Sequence, residues 1–174
     1  IKVYRGSLHN VFSRFYNLAT LVKPTTIIRL TADCPLVMPE LLDAMVLQFY
    51  DSNLDYLSNT LEPTYPDGLD VEIMNASVFE ELATFELTDS EKEHVTLGIY
   101  NRPYIFNVQN FASKEDFSQN RWTVDYFEDL VFVKQVYGFF KGCESTFTFK
   151  DVMSLVLQNP EISSKIPANR RNEK

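Results

Sequence analysis

The hydrophobic positions of this chain fall into two kinds of pattern, short continuous runs and longer stripes with helical spacing. The run 25–31 (TTIIRLT) is β-branched and nearly all apolar, which is typical of a buried central strand. The stripe that begins at Leu8 follows Ser7, an expected N-cap, and stops before Pro24. The same reasoning predicts further strands at 55–59, 69–74, 104–111 and 121–125, and further helices at 39–49, 76–85, 88–100, 126–140 and 149–158.

Strands and helices that alternate along a chain predict an α/β fold. We expect three layers (α/β/α), with a mostly parallel mixed sheet between helices, in a single domain over residues 1–174. Residues 165–174 end in NRRNEK and are expected to form a disordered tail. Because ligands bind at the carboxyl ends of the strands in such sheets, residues that follow strands are the first candidates for a functional site.

Composition and charge narrow the classes of partner. Hydrophobic residues make up 45% of the chain, but no apolar run reaches the roughly 18 residues of a membrane helix, so no membrane insertion is expected. The net charge of −8 argues against a nucleic-acid partner, because nucleic-acid binding needs clustered Lys and Arg. Cys34 and Cys143 are too few for a disulfide framework or a zinc site, and a cytoplasmic location is expected.

Two aspartates each follow a predicted strand. Asp33 comes after IIRLTA, and Asp125 comes after RWTV. If both strands are central and parallel, both carboxylates reach the same rim of the sheet, where two hard oxygen donors suit Mg²⁺. Such an ion neutralises charge on a nucleoside triphosphate during transfer. Both residues also precede predicted helices, so N-capping is the alternative and is favoured for either aspartate taken alone.

The segment YPDGLDVEIM holds three further acids, Asp67, Asp70 and Glu72. Asp67-Gly68 is typical of a turn. Glu72 lies two residues after Asp70, on the same face of the predicted strand. These carboxylates either hydrogen-bond a polyol substrate or are exposed acids beside an ordinary turn, and the pattern favours neither reading.

The predicted helix 88–100 contains Glu93, His94 and Thr96 in the sequence KEHVT. Residues three or four positions apart lie on the same face of a helix, so contacts among this group are possible. A lone histidine is more often structural than catalytic. The sequence offers no Ser-His-Asp, Cys-His or metal-type histidine cluster to change that balance.

Two weaker signals complete the candidate chemistry. Arg5 and Ser7 stand at an expected helix N-terminus, where backbone N–H groups and the helix dipole bind anions, although many helices begin this way without a ligand. Cys34 is expected to be a buried thiol rather than a nucleophile, since only Arg29 or Arg121 is a candidate to lower its pKa.

Five ordered segments carry a family resemblance: VYRGSLHNVFSRFYNLA, IIRLTADCPLVMPELLD, DYLSNTLEPTYPDGLDVEIM, EKEHVTLGIYNRP and RWTVDYFEDLVFVKQVY. From about Val3 to about Pro160 the chain resembles the spore coat polysaccharide biosynthesis protein F group. That group belongs with the CMP-sugar synthetases, the acylneuraminate and 3-deoxy-manno-octulosonate cytidylyltransferases. The resemblance implies a nucleotide-diphospho-sugar transferase fold and, with Mg²⁺, the reaction of CTP with a sugar acid to give CMP-sugar and pyrophosphate.

The resemblance also assigns roles to particular residues. ADCPL matches the family's metal-binding GD-x-P-L motif through Asp33, and VDYFEDL matches VDTPEDL through Asp125, so these two residues are the implied catalytic metal pair. The residues implied to bind the sugar substrate are Asp67, Asp70 and Glu72 of YPDGLDVE and Glu93, His94 and Thr96 of KEHVT, and those implied at the nucleotide side are Arg5 and Ser7.

One element of the family has no counterpart in this sequence. The enzymes open with a strand and a Gly/Arg/Lys-rich loop that cradles the triphosphate, whereas this chain begins with IKVYRGS. We therefore expect an N-terminally truncated chain that, alone, binds CTP poorly. A nucleotide-sugar-dependent glycosyltransferase and a non-catalytic domain that binds a sugar or a partner are the alternatives. The resemblance also implies a possible homodimer.

Overall fold

A computed structural model describes residues 2–163 of the chain, so the tail predicted at 165–174 lies outside the described residues. Within them the chain folds into two compact units. The first unit comprises residues 2–29, 47–58 and 72–109, and the second comprises 30–46, 59–71 and 110–163. That the whole chain forms one domain stays a prediction.

Helices and strands alternate along the chain, which confirms the α/β class. The helices are α1 (Val11–Val22), α2 (Pro39–Asp51), α3 (Ser77–Leu82), α4 (Asp89–Glu93), α5 (Leu97–Tyr100), α6 (Phe127–Phe139) and α7 (Phe149–Gln158), and the strands are β1 (Thr26–Arg29), β2 (Tyr56–Ser58), β3 (Glu72–Asn75) and β4 (Val108–Asn110). Along the described part of the chain, no helix has both the length and the apolar character needed to cross a membrane.

The strands form one sheet in the order β1-β3-β2-β4. β3 is antiparallel to both β1 and β2, so those two strands run in the same direction and end at the same rim. The alternation of elements predicts a mostly parallel sheet, but β3 is antiparallel to its neighbours. Two adjacent parallel strands need a long crossover connection, usually a helix, and no helix lies between β2 and β3. The register places Glu72, the first residue of β3, opposite both Arg29 and Ser58.

The first helix begins later than the sequence predicts. Asn10, not Ser7, is the N-cap of α1, because its side chain accepts a hydrogen bond from the backbone N–H of Ser13 at 2.9 Å. Leu8 therefore lies outside the helix and is exposed. The apolar face of α1 starts at Phe12, whose ring packs 5.7 Å from that of Phe79 on α3.

The predicted helix 88–100 is broken into two short helices. Thr88 and Glu91 form a capping box at the start of α4, and the helix stops at Glu93. Val95 then adopts a positive φ of 31°, which is rare for a β-branched residue and costs on the order of 1–3 kcal/mol. Val95 is fully buried, so packing holds this strained turn. The apolar spacing continues through the turn, which is why periodicity alone predicts a single helix.

The predicted strand 121–125 does not form. Arg121 makes a single parallel bridge to Asp67, and the residues that follow it have no strand partner. The close approach requires Gly68, because its φ is 107° and an added Cβ would lie 2.3 Å from the backbone nitrogen of Thr123. Asp125 therefore follows an irregular segment rather than a strand.

Candidate active site

Two polar clusters contain four of the ten candidate residues, namely Asp67, Asp125, Glu72 and Thr96. The aspartate cluster, in the second unit, consists of Arg121 with the three acids Asp67, Asp125 and Asp129. The Glu72 cluster, in the first unit, consists of Glu72 with the three donors Arg29, Tyr56 and Thr96.

The guanidinium of Arg121 organises the aspartate cluster. It binds Asp129 in a bidentate manner, with Nε 3.1 Å from Oδ1 and Nη2 2.9 Å from Oδ2. Nη2 also donates to Asp125 Oδ2 at 2.7 Å, and Nη1 lies 3.4 Å from Asp67 Oδ2. The Asp129 side chain is 0% exposed and that of Asp125 is 27% exposed, so Asp125 is the acid that meets solvent.

Asp129 joins this cluster to the start of α6. Its Oδ2 accepts hydrogen bonds from the backbone N–H groups of Asp125 and Tyr126, both at 2.9 Å. Burial alone would raise the pKa of Asp129, but the hydrogen bonds from Arg121 and the two backbone groups outweigh burial and hold the pKa below its ordinary value. Asp129 thus stays ionised and fixes the backbone of Asp125.

Neither candidate metal ligand is a helix cap. The N-cap of α6 is Tyr126, and α2 begins at Pro39, too far along the chain for Asp33 to cap it. The alternative reading of Asp33 and Asp125 as N-caps is therefore wrong. At α6, the Asp129 side chain accepts from the backbone N–H groups of Asp125 and Tyr126, the two residues that precede the helix.

The structure brings the Asp33 turn against the segment that precedes Asp125. The backbone carbonyl of Asp33 accepts two hydrogen bonds, from Val124 N at 2.8 Å and from Thr123 Oγ1 at 3.1 Å. Val124 is the residue directly before Asp125, so the two candidate metal ligands belong to segments held together by hydrogen bonds. Spacing along the sequence does not reveal this adjacency.

Cys34 is a buried thiol, as the sequence predicts. Burial raises its pKa from an ordinary 9.0 to about 12, and the negative charges of Asp70 and Asp33 act in the same direction. Hydrogen bonds with Thr31 and with the backbone of Asp70 oppose this rise without reversing it. The thiolate is thus scarce at neutral pH, which argues against a nucleophilic role.

The donor chemistry of Asp33 and Asp125 fits Mg²⁺ better than a softer metal. Residues 2–163 hold no group of three or more His, Cys, Asp or Glu side chains placed to bind a metal ion. Mg²⁺ does not need such a group, because it binds through one or two carboxylates and takes its other ligands from water and phosphate. Asp125 is partly exposed and Asp33 half-buried, so an ion held by them would keep room for such ligands.

The Glu72 cluster lies at the rim where β1 and β2 end. Glu72 is 6% exposed. Its Oε1 accepts hydrogen bonds from Tyr56 Oη at 2.5 Å and from Thr96 Oγ1 at 2.6 Å, and its Oε2 forms an ion pair with Arg29. Of the two readings left open for Glu72, the exposed acid beside a turn is wrong, because three donors of the protein contact its carboxylate.

The structure joins Glu72 and Thr96, two predicted substrate residues, and adds two that the sequence analysis misses. Arg29 is the last residue of β1, and Tyr56 lies two positions before Ser58 on the same face of β2. The signal that would have found both is the antiparallel register of β3 between β1 and β2.

The other predicted site residues lie apart from these hydrogen-bond networks. Glu93 and His94 are exposed at the end of α4, and within residues 2–163 neither side chain bonds to a member of the two clusters. Arg5 and Ser7 are exposed, and α1 begins only at Val11, so the predicted anion site at its N-terminus does not include them. A role for these four residues in substrate binding stays a prediction.

Comparison with known proteins places this geometry in a family. The family model described as Cytidylyltransferase matches residues 1–153. The chain is 35% identical over 171 residues to the spore coat polysaccharide biosynthesis protein SpsF of Bacillus subtilis, covering 97% of this chain and 70% of that protein. It is 27% identical over 166 residues to an uncharacterized protein of Methanocaldococcus jannaschii, covering 94% of this chain and 66% of that protein.

A solved structure agrees with the sequence comparisons. The structure of a cytidylyltransferase from Leptospira borgpetersenii superposes with a TM-score of 0.85 at 29% sequence identity, covering 92% of this chain and 68% of that chain. The likeness supports the nucleotidyltransferase-like fold that the sequence predicts. The chain therefore belongs to the cytidylyltransferase family of nucleotidyltransferase enzymes.

Proposed function

We propose that the protein activates a sugar acid with CTP, forming a CMP-sugar and pyrophosphate for a surface polysaccharide. The family supports CTP as one substrate and a sugar as the other. The similarity to a spore coat polysaccharide biosynthesis protein supports polysaccharide synthesis as the destination of the product. In this reaction a sugar hydroxyl attacks the α-phosphate of CTP in line, and pyrophosphate leaves.

The observation that carries this proposal is the pair of hydrogen bonds received by the Asp33 carbonyl. Val124 N and Thr123 Oγ1 both donate to it, at 2.8 Å and 3.1 Å, and Asp125 follows directly. Two carboxylates on segments joined in this way are suited to hold Mg²⁺, which would supply positive charge to the phosphates during transfer.

The protein's own residues prepare Asp125 for that role. Arg121 takes one of its carboxylate oxygens at 2.7 Å, and Asp129 fixes its backbone N–H at 2.9 Å. A residue held through both its side chain and its backbone loses little conformational entropy when it binds a ligand. Asp67 shares the same arginine and is largely buried, so its part in the reaction is to position Arg121 rather than to contact the sugar.

Pyrophosphate release tests the proposal. The full-length protein is mixed with CTP, MgCl₂ and either N-acetylneuraminate or 3-deoxy-manno-octulosonate, and pyrophosphate is measured by a coupled assay. We expect Asp33→Asn to lower the rate by roughly a hundredfold or more, because an amide oxygen is a poor ligand for Mg²⁺. Asp43→Asn is the matched control, because Asp43 is exposed on α2 and follows no predicted strand.

Three outcomes separate the competing functions. Wild-type rates in Asp33→Asn would refute the metal assignment. Transfer of a sugar from a nucleotide sugar, without pyrophosphate release from CTP, would point to a glycosyltransferase. Binding of a sugar acid with neither reaction would point to a non-catalytic domain.

A further inference from the structure

The protein holds the Arg29 side chain in place, but it leaves several of the N–H donors of the guanidinium without a protein partner within residues 2–163. Within residues 2–163, Glu72 is the only hydrogen-bond partner of its guanidinium, which binds through Nη1. An arginine has five N–H donors in a planar fork. The Arg29 side chain is 24% exposed, so its other donors meet solvent at the rim where β1 and β2 end.

Glu72 is an anchor for Arg29 rather than a free ligand site. Tyr56 and Thr96 donate to one of its oxygens and Arg29 to the other. Phe15 lies under the arginine, with its ring centroid 5.9 Å from the guanidinium carbon. The guanidinium is therefore fixed by an ion pair at one edge and by an aromatic ring on one face.

Tyr100 places a second donor near this pair. Its pKa is raised by burial and by the charge of Glu72, while Arg29 acts in the opposite direction, so the phenol stays protonated at neutral pH. Its ring lies 6.3 Å from that of Tyr56.

The other two arginines that form ion pairs within residues 2–163 make more hydrogen bonds than Arg29 does. The Arg121 guanidinium donates hydrogen bonds to three carboxylates, and the side chain is 8% exposed. Arg102 binds Glu91 at 2.5 Å and the carbonyl of Gly98 at 2.8 Å, and it is 15% exposed. Arg102 also lies over an aromatic ring and pairs with a glutamate, as Arg29 does, but its Nη1 makes one more hydrogen bond and its side chain is less exposed.

We propose that Arg29 binds an oxyanion group of a substrate, with Glu72 as the positioning residue that fixes its guanidinium. This inference rests on the proposed function. Two substrate groups share this chemistry, the carboxylate of the sugar acid and a phosphate of CTP. Either one accepts two parallel hydrogen bonds from the planar fork, which a lysine cannot supply.

Steady-state kinetics of Arg29→Lys tests the proposal in the full-length protein. The assay measures pyrophosphate release while CTP and N-acetylneuraminate are varied in turn. We expect KM for one substrate to rise by roughly tenfold or more, while the other KM and kcat change little. A higher KM for the sugar acid identifies the carboxylate as the bound group, and a higher KM for CTP identifies the phosphate.

Two further variants keep the test decisive. Arg102→Lys is the matched control and should leave both KM values unchanged. Arg29→Met alone would leave the buried Glu72 carboxylate without its cation and could unfold the protein. The double variant Arg29→Met/Glu72→Gln avoids this, because it removes both charges of the ion pair. We expect this double variant to show the same selective rise in KM as Arg29→Lys.

The results distinguish a failed inference from a failed function. If the wild type releases pyrophosphate and Arg29→Lys has the kinetics of Arg102→Lys, the inference is overturned and the proposed function stands. If the wild type releases no pyrophosphate with any sugar acid offered, the proposed function is overturned, and the inference falls with it.

Discussion

The two polar clusters of this protein are built with opposite charge balance. In the aspartate cluster, one guanidinium faces three carboxylates, two of which are largely buried. In the Glu72 cluster, one carboxylate faces one guanidinium and two hydroxyl groups. The first cluster carries excess negative charge, and the second is close to neutral.

This difference bears on what each cluster is suited to bind. Excess negative charge beside a partly exposed Asp125 favours a cation, in keeping with the proposed Mg²⁺. In the neutral cluster the positive member is the one that reaches solvent, since Arg29 is 24% exposed and the Glu72 side chain only 8%. That cluster therefore favours an anion.

Removal of the cation from the aspartate cluster should have the largest effect on stability. In Arg121→Met, Asp67 and Asp129 lose their buried partner, and removal of one member of a buried ion pair costs about 3–5 kcal/mol. Urea unfolding at pH 7 measures the change, with Lys134→Met, at an exposed position of α6, as the control.

The pH dependence of Arg121→Met checks the cause. A carboxylate with a lowered pKa stabilises the fold above its ordinary pKa, and this contribution is lost as pH falls through the folded value. For Asp129 the ordinary value is 3.8. The difference between variant and wild type should therefore shrink below about pH 4. A difference that is equally large at pH 3 would contradict the electrostatic explanation.

The sequence predicts the local elements of this fold better than the contacts between them. The predicted helix 149–158 is confirmed, and it begins after the N-cap Thr148, whose hydroxyl accepts from the N–H of Asp151 in a capping box. That signal lies within a few residues. The bridge between Asp67 and Arg121 joins positions far apart in the chain, so no local sequence pattern predicts it.

The candidate site follows the same rule. Family motifs select Asp33, Asp125 and Glu72, but they do not say what each carboxylate touches. In the sequence, Glu72 lies in a run of alternating polar and apolar residues that does not indicate a partner. Only the pairing of β3 with β1 reveals that its partner is Arg29. The strained turn at Val95 is likewise invisible, because tertiary packing overrides the helical periodicity around it.

Glu72→Gln should have a smaller effect than Arg121→Met and so test the comparison directly. The amide oxygen still accepts from Tyr56 and Thr96, and Arg29 is exposed enough to be solvated by water. We expect a loss of about 2 kcal/mol in the free energy of unfolding, near the value of one hydrogen bond to a charged group.

The control for this variant is Glu80→Gln, at an exposed position of α3 in the same unit, which should change stability by less than about 0.5 kcal/mol. If Glu72→Gln loses as much stability as Arg121→Met, the comparison fails. Loss of one charged partner would then destabilise both clusters equally.

Tyr56→Phe should have the smallest effect at neutral pH and a distinct one in alkali. Burial, the charge of Glu72 and the hydrogen bond to it raise the pKa of Tyr56 well above 10.0. The folded state then keeps a proton that the unfolded state releases, so this stabilisation is present below about pH 10 and is lost as pH rises further. Each such proton contributes a slope of about 1.4 kcal/mol per pH unit.

The variant should lose about 1 kcal/mol at pH 7, because Glu72 keeps Arg29 and Thr96 as donors. Above pH 10 its unfolding free energy should fall less steeply than that of the wild type, since one raised pKa has been removed. Tyr104→Phe, at a position 82% exposed, is the control and should keep the wild-type slope. Equal slopes for Tyr56→Phe and wild type would show that Glu72 does not hold the Tyr56 proton, and the three-donor description of its cluster would then fail.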